Sequence, residues 1–292
     1  MSVLEEYRPK AFNKRKTIVE RFSSAEEVIR MSDQRPITKT FTEHSKNTRA
    51  RIDMGDEADW FGNVNTWQEV ANLMSYGYRP YVEQLKDKLD FTARGEGKRI
   101  SFRNDVVGYA PIVPLAMMGV PRSMINSYMK PIKNKVVSIY YEKTANWTID
   151  AKEIEKAGLK LLSVLLSLEM QGYRFNLNVC ETHVDEKKEP IILCVKVKDS
   201  NMPFDLQRLS FPVGHPAFFR GVGFDWYERC PKAKYMFGYG HEIVREYPEA
   251  VVNDGFEEMF NEKCVVFHMS KLIDDTEEHI ASVITNSNKM LA

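Results

Sequence analysis

Between Val136 and Val197 the apolar pattern changes period twice, and this limits the folds open to the chain. Val136–Tyr141 is β-branched and aromatic, Ile149–Gln171 contains a long amphipathic helix ended by Gly172, and Tyr173, Phe175, Leu177 and Val179 then alternate. The turn Asp185-Glu186-Lys187-Lys188 leads to Ile191–Val197 and predicts an antiparallel hairpin. Pro216–Arg229 reads as a helix weakened by Gly221 and Gly223. Cys264–His268 reads as a buried strand, and Asp274–Ile284 as a closing helix whose acidic first turn suits its dipole. This order predicts an α/β (α+β) fold, a mixed β-sheet covered by helices and preceded by a smaller, mainly helical region.

Ahead of that unit the pattern is helical. Ser24 can cap a short helix to Met31, with Glu27 completing a capping box. Thr66 and Glu69 open a helix from Trp67 to Tyr76 that stops at Gly77, with Val70, Leu73 and Met74 as its stripe. Pro80 opens another, Tyr81 to about Phe91, and Met124–Met129 reads as a short helix before Pro131. Three parts are expected: 1–55, a basic, partly flexible arm; 56–134, a mainly helical basic region; and 135–292, a mixed α/β domain with an acidic C-terminal part.

Several classes of chemistry lack their signatures. Around Gly95-Glu96-Gly97-Lys98, a phosphate loop would need glycine and Ser/Thr where Thr92 and Arg99 stand. Gly221-Val222-Gly223 lacks a third glycine. The six histidines are too dispersed for a sequence-local ligand pair, and no nucleophile elbow occurs. Cys180, Cys194, Cys230 and Cys264 are spaced too widely for a zinc knuckle and read as structural thiols. The expectation is a protein that is not an enzyme, with no cofactor and no metal. Leu159–Leu168 falls short of the roughly 18–20 apolar residues that span a bilayer. Glu5, Glu6, Arg8 and Lys10 occupy the place of a signal peptide's apolar centre, so a cytosolic protein is expected.

The net charge is zero, yet the charges are segregated. Met1–Arg51 has a balance of +5 and Arg79–Lys135 one of +6, whereas the stretch from Gly240 onward has −7. Such asymmetry fits a polyanionic partner. Single-stranded nucleic acid is bound by cations that follow phosphates and aromatic rings that stack on bases. Candidate phosphate contacts are Lys14, Arg15, Lys16, Arg94, Lys98, Arg99, Arg103, Lys130, Lys133 and Lys135, and candidate stacking residues are Phe102, Tyr109 and Tyr128. Scattered Trp and Phe residues leave room for a homo-oligomer.

Three stretches carry a family resemblance. They are Trp60-Phe61-Gly62…Thr66-Trp67-Gln68-Glu69 with Gly77-Tyr78; Arg103-Asn104-Asp105…Gly108-Tyr109-Ala110-Pro111; and His215-Pro216-Ala217-Phe218-Phe219-Arg220 with Phe224. Together with the length, they resemble the phage single-stranded-DNA-binding RNA polymerase cofactor family (Drc). The resemblance implies a viral protein in the host cell cytoplasm that prefers single-stranded DNA and helps a phage RNA polymerase transcribe early genes. It also implies a fold that is not an OB-fold. A second resemblance is to von Willebrand A-type domains, through the strand–helix–strand pair–helix–strand order of 136–285. That family holds a metal through D-x-S-x-S after its first strand, where this chain has Glu142-Lys143-Thr144-Ala145-Asn146. The second resemblance therefore implies a protein-interaction scaffold without metal.

Overall fold

The computed structural model describes residues 2–38, 46–55, 57–88, 98–131, 135–185, 187–232 and 241–289. Its strands are β1 (Val3–Tyr7), β2 (Thr17–Phe22), β3 (Lys98–Asp105), β4 (Ala110–Pro111), β5 (Met124–Pro131), β6 (Lys135–Glu142), β7 (Tyr173–Val184), β8 (Pro190–Lys198) and β9 (Cys264–His268). Six of them form an open sheet in the order β1-β2-β8-β7-β6-β9, while β3-β5-β4 form a separate antiparallel sheet. In the larger sheet β6 is parallel to β7 and β9, and β2 is parallel to β8. The β7–β8 hairpin is antiparallel, as is β1–β2. The fold is thus mixed α/β, and its main sheet is open rather than a barrel.

Both faces of the main sheet are covered. The helix Ala151–Met170 begins at Asp150, whose backbone N–H donates to the Glu153 carboxylate at 3.0 Å. It buries Ile154, Ala157, Leu161, Leu165 and Leu168 in the core that also holds Val137, Ile139, Tyr141, Leu177 and Val179. The other core joins Tyr140, Cys180, Ile192 and Cys194 to Val252, Phe256 and Met259 of the helix Glu249–Phe260. Hence β7 is buried on both sides, not half-buried as its first residues predict. Cys180, Cys194 and Cys264 are free thiols.

The N-terminal segment is not an arm. Residues 3–7 and 17–22 add two strands to the main sheet, because Ile18 and Phe22 enter one core while Val19 and Phe12 enter the other. Sorting a few apolar side chains to two faces anchors a segment whose overall polarity reads as loose. Ser24 does cap the helix Ala25–Gln34, accepting from Glu27 N–H at 3.3 Å.

Nor is the helical region separate from the α/β body. The expected helix Trp67–Tyr76 is capped by Thr66, and Arg79–Lys88 follows it. Gly62, at φ 78°, passes so close to His215 and Pro216 that a Cβ would lie 2.9 Å from the imidazole. The Arg220 guanidinium stacks 3.4 Å from the Trp60 ring centroid and donates to the carbonyls of Trp60, at 3.0 Å, and Ile149. Two of the three stretches behind the Drc resemblance are therefore a buried clasp between Trp60-Phe61-Gly62 and the His215–Arg220 run.

Two other elements differ from expectation. Met124–Pro131 is a strand, because it pairs along its whole length with Lys98–Asp105 and tertiary pairing overrides a short helical pattern. Among the described residues, the second half of 56–134 is consequently mainly strand, with Val113–Met117 its one short helix. The helix expected over Pro216–Arg229 is present but widens to a π-helix over Phe218–Gly223 before Phe224–Arg229 returns to α, and a further π-helical turn occupies Ser210–Gly214. A wider turn frees carbonyls, and buried Lys143 donates its Nζ to those of Pro212 at 3.1 Å and His215 at 2.7 Å.

Candidate nucleic-acid interface

Among the described side chains of the small sheet, those between 102 and 128, none belongs to either core. The segment 98–131 carries five Lys/Arg and one acidic residue, Asp105. The three aromatic residues expected to stack are all exposed: Phe102 at 63%, Tyr109 at 66% and Tyr128 at 39%. Large rings left in water without core contacts are candidates for a binding surface.

Strand alternation sets Phe102 and Tyr128 on opposite faces, and Tyr109, just ahead of β4, is placed by its ring contact. Phe102 and Tyr109 lie together, ring centroids 6.4 Å apart. Tyr128 opposes Ser101 in register and receives the Arg103 guanidinium 5.4 Å from its ring centroid. Arg103 also pairs with Asp105 at 2.8 Å. For Arg99 and Lys130 the register sets the two positions opposite each other, two residues along from the Ser101–Tyr128 pair. One face thus gathers the positions of Arg99, Lys130, Arg103 and Tyr128, and the reverse face those of Lys98 and Phe102 with Tyr109.

The other candidates lie elsewhere. Lys14, Arg15 and Lys16 occupy the β1–β2 connection; Arg15 donates to the Lys187 carbonyl at 2.8 Å and Lys16 pairs with Glu6 at 2.8 Å. Lys135 sits on β6, its Nζ 5.0 Å from the Tyr173 ring centroid. Arg94 and Lys133 lie outside the described residues. Nor is the acidic C-terminal part a free tail. Glu262 accepts from Ser138 Oγ at 2.8 Å and Tyr140 OH at 2.5 Å, and Glu258 from the Lys10 N–H at 2.6 Å.

A second polar site lies at the carboxyl end of β6. There the neighbours diverge, β7 on one side and β9 on the other, which is where open α/β sheets commonly bind ligands. Glu142 is fully buried; one carboxylate oxygen accepts from Thr144 N–H at 3.1 Å and Thr182 Oγ1 at 2.8 Å, and the other faces His268 Nδ1 at 3.3 Å. Asn146 N–H is bound by Glu242 at 2.7 Å. These residues do not fit the metal that the von Willebrand A-type pattern implies, because the acid is already engaged by protein groups. Among the described residues, no group of three or more His, Cys, Asp and Glu side chains is placed to hold a metal ion.

On the opposite face of β6 and β7 a buried set escaped the sequence reading. Lys143, Glu181 and His183 are each at most 1% exposed. Burial pulls the Lys143 amine down to about 7, opposed by the nearby Glu181 and Glu155. Burial raises the Glu181 carboxyl well above its ordinary range, and neither of its oxygens has a hydrogen-bond partner among the described residues. The signal was the alternation itself: continued past Val179, it puts Glu181 and His183 on the apolar face.

The buried histidines make acid stability predictable. Burial holds His183 and His215 down to about 3, with lesser contributions from His241 and Lys143 respectively. Unfolded imidazoles take protons from about pH 6.5. The native state therefore binds fewer protons than the unfolded chain between those values, and stability falls as pH drops through that window. His183→Phe should lessen the loss between pH 7 and 5 by up to about 2 kcal/mol. Urea unfolding at both pH values measures this, and an unchanged loss in the variant would refute it.

These features define a mixed α/β protein with a six-stranded main sheet and a small basic sheet. The chain belongs to the family described as "Domain of unknown function (DUF7192)", whose model matches residues 6–282. No match is found among curated proteins or among solved structures. No helix among the described residues is long and apolar enough to cross a membrane.

Proposed function

We propose that the chain is a non-catalytic binding protein that takes single-stranded DNA on the β3-β5-β4 sheet, as a cofactor of a phage RNA polymerase. The observation that supports the DNA contact is the exposure of Phe102, Tyr109 and Tyr128 in a cation-rich sheet whose described side chains join neither core. Bases stack on the rings while Arg103 and its neighbours follow the phosphates. The polymerase role rests on the Drc resemblance.

Fluorescence anisotropy with single-stranded and duplex DNA of equal length, at two salt concentrations, tests this. Tighter binding to the single strand is expected. Tyr128→Ala should weaken it by roughly fivefold to a hundredfold, and Arg103→Ala should reduce the salt slope by about 0.7. Equal or absent affinity for the two DNAs ends the proposal.

The strand order favours a second reading, an interaction scaffold of the von Willebrand A type. Parallel β7 and β9 flank β6, and the polar end of β6 is closed by its own residues. Co-purification of a protein partner, with no affinity for either DNA, would favour it over the first.

A further inference from the structure

We infer that the small sheet is a dimerisation element, in which β3 pairs with β3 of a second copy to make one continuous antiparallel sheet. Among the described residues β3 pairs with β5 alone, so an eight-residue strand without proline leaves one edge open. An open edge of that length is a template for another strand.

The sequence of β3 selects both the occupant and the register. A two-fold axis normal to the sheet makes opposed residues share a face, which restricts the pairing to alternate registers. Two such registers align most of the strand. One sets Arg99 against Arg103 of the other copy at both ends, where like charges repel. The other centres on Phe102, setting the two Phe102 positions against each other, Ser101 against Arg103, and Arg99 against Asp105 at each end. It matches opposite charges twice, each Asp105 then lying between its own Arg103 and the other copy's Arg99, and adds a second ring beside the exposed Phe102–Tyr109 pair. The strand is therefore complementary to itself in one register, the property expected of a self-pairing edge and not required for DNA contact.

Sedimentation of the full chain without nucleic acid tests this, and its failure would leave the DNA reading standing. The wild-type chain should be a dimer. Arg99→Asp and Asp105→Arg should each weaken it about tenfold, because each turns two attractions into repulsions. An equimolar mixture of the two variants should recover wild-type affinity, since every Arg99–Asp105 position then holds opposite charges. Phe102→Lys sets two cations across the axis and, at a position exposed in the single chain, should yield a folded monomer by circular dichroism. A monomeric wild type at its highest soluble concentration would overturn the inference. So would a Phe102→Lys chain that dimerises as tightly as the wild type, or folded single variants whose mixture recovers nothing.

Discussion

Replacing Glu20 with alanine should cost about 3–5 kcal/mol of stability, read as a lower urea midpoint at unchanged slope. Glu20 is fully buried on β2. Its carboxylate accepts from Arg35 Nη2 at 2.7 Å and Nη1 at 3.0 Å, and from the Trp226 indole at 2.9 Å. Removing it leaves a guanidinium, only about a quarter exposed, and a buried indole N–H without their acceptor. The three residues come from β2, the end of the first helix and the helix Phe224–Arg229, so the substitution tests whether the N-terminal segment belongs to the fold. A loss below about 1 kcal/mol would match a surface ion pair and contradict that placement.

Gly158→Ala offers a test in which two effects oppose each other. On helix propensity alone, alanine in the middle of Ala151–Met170 should stabilise by about 1 kcal/mol. The helix, however, lies directly against the π-helical turn Ser210–Gly214. A Cβ on residue 158 would collide with the Val213 carbonyl and come within 2.6 Å of Gly214 Cα. Both are backbone atoms, so no rotamer change relieves the clash. Overpacking of this kind costs about 1–3 kcal/mol and sometimes more, and separating the segments would also weaken the Lys143 contacts with the Pro212 and His215 carbonyls. The expected result is a lower melting temperature, by several degrees. A rise would show that the helix and the turn can part freely.

Local chemistry reads well from the sequence. Thr66, Gly77 and Gly172 mark helix ends where the structure has them, and Cys264–His268 is a strand over those same residues. The β7–β8 hairpin is legible because its alternation and its Asp185–Lys188 turn agree. Elements held by distant partners are not. β3 and β5 are a pair, and neither half carries enough apolar periodicity to announce itself alone. The π-helical turn Ser210–Gly214 likewise depends on Lys143, some seventy residues away, to donate hydrogen bonds to the carbonyls of Pro212 and His215.

The candidate site divides in the same way. Composition picked out Phe102, Tyr109 and Tyr128 among basic residues, but only the strand register shows that Phe102 lies opposite the face shared by Arg103 and Tyr128, and only the ring contact that Tyr109 joins Phe102. It could not show that Lys14–Lys16 turn at the rim of the main sheet, engaged with Glu6 and the Lys187 carbonyl.

The caps of the helices Ala25–Gln34, Trp67–Tyr76 and Ala151–Met170, the alternating stretches and the mixed sheet covered by helices were legible in the chain alone, because those features depend on neighbours within a turn or two. Only the tertiary structure decided that the N-terminus is part of that sheet, that the Trp60–Gly62 and His215–Arg220 runs clasp each other, and which cations share a face with an exposed ring. Strand pairing and burial set these, and both depend on partners far away in the chain, which a periodicity cannot name.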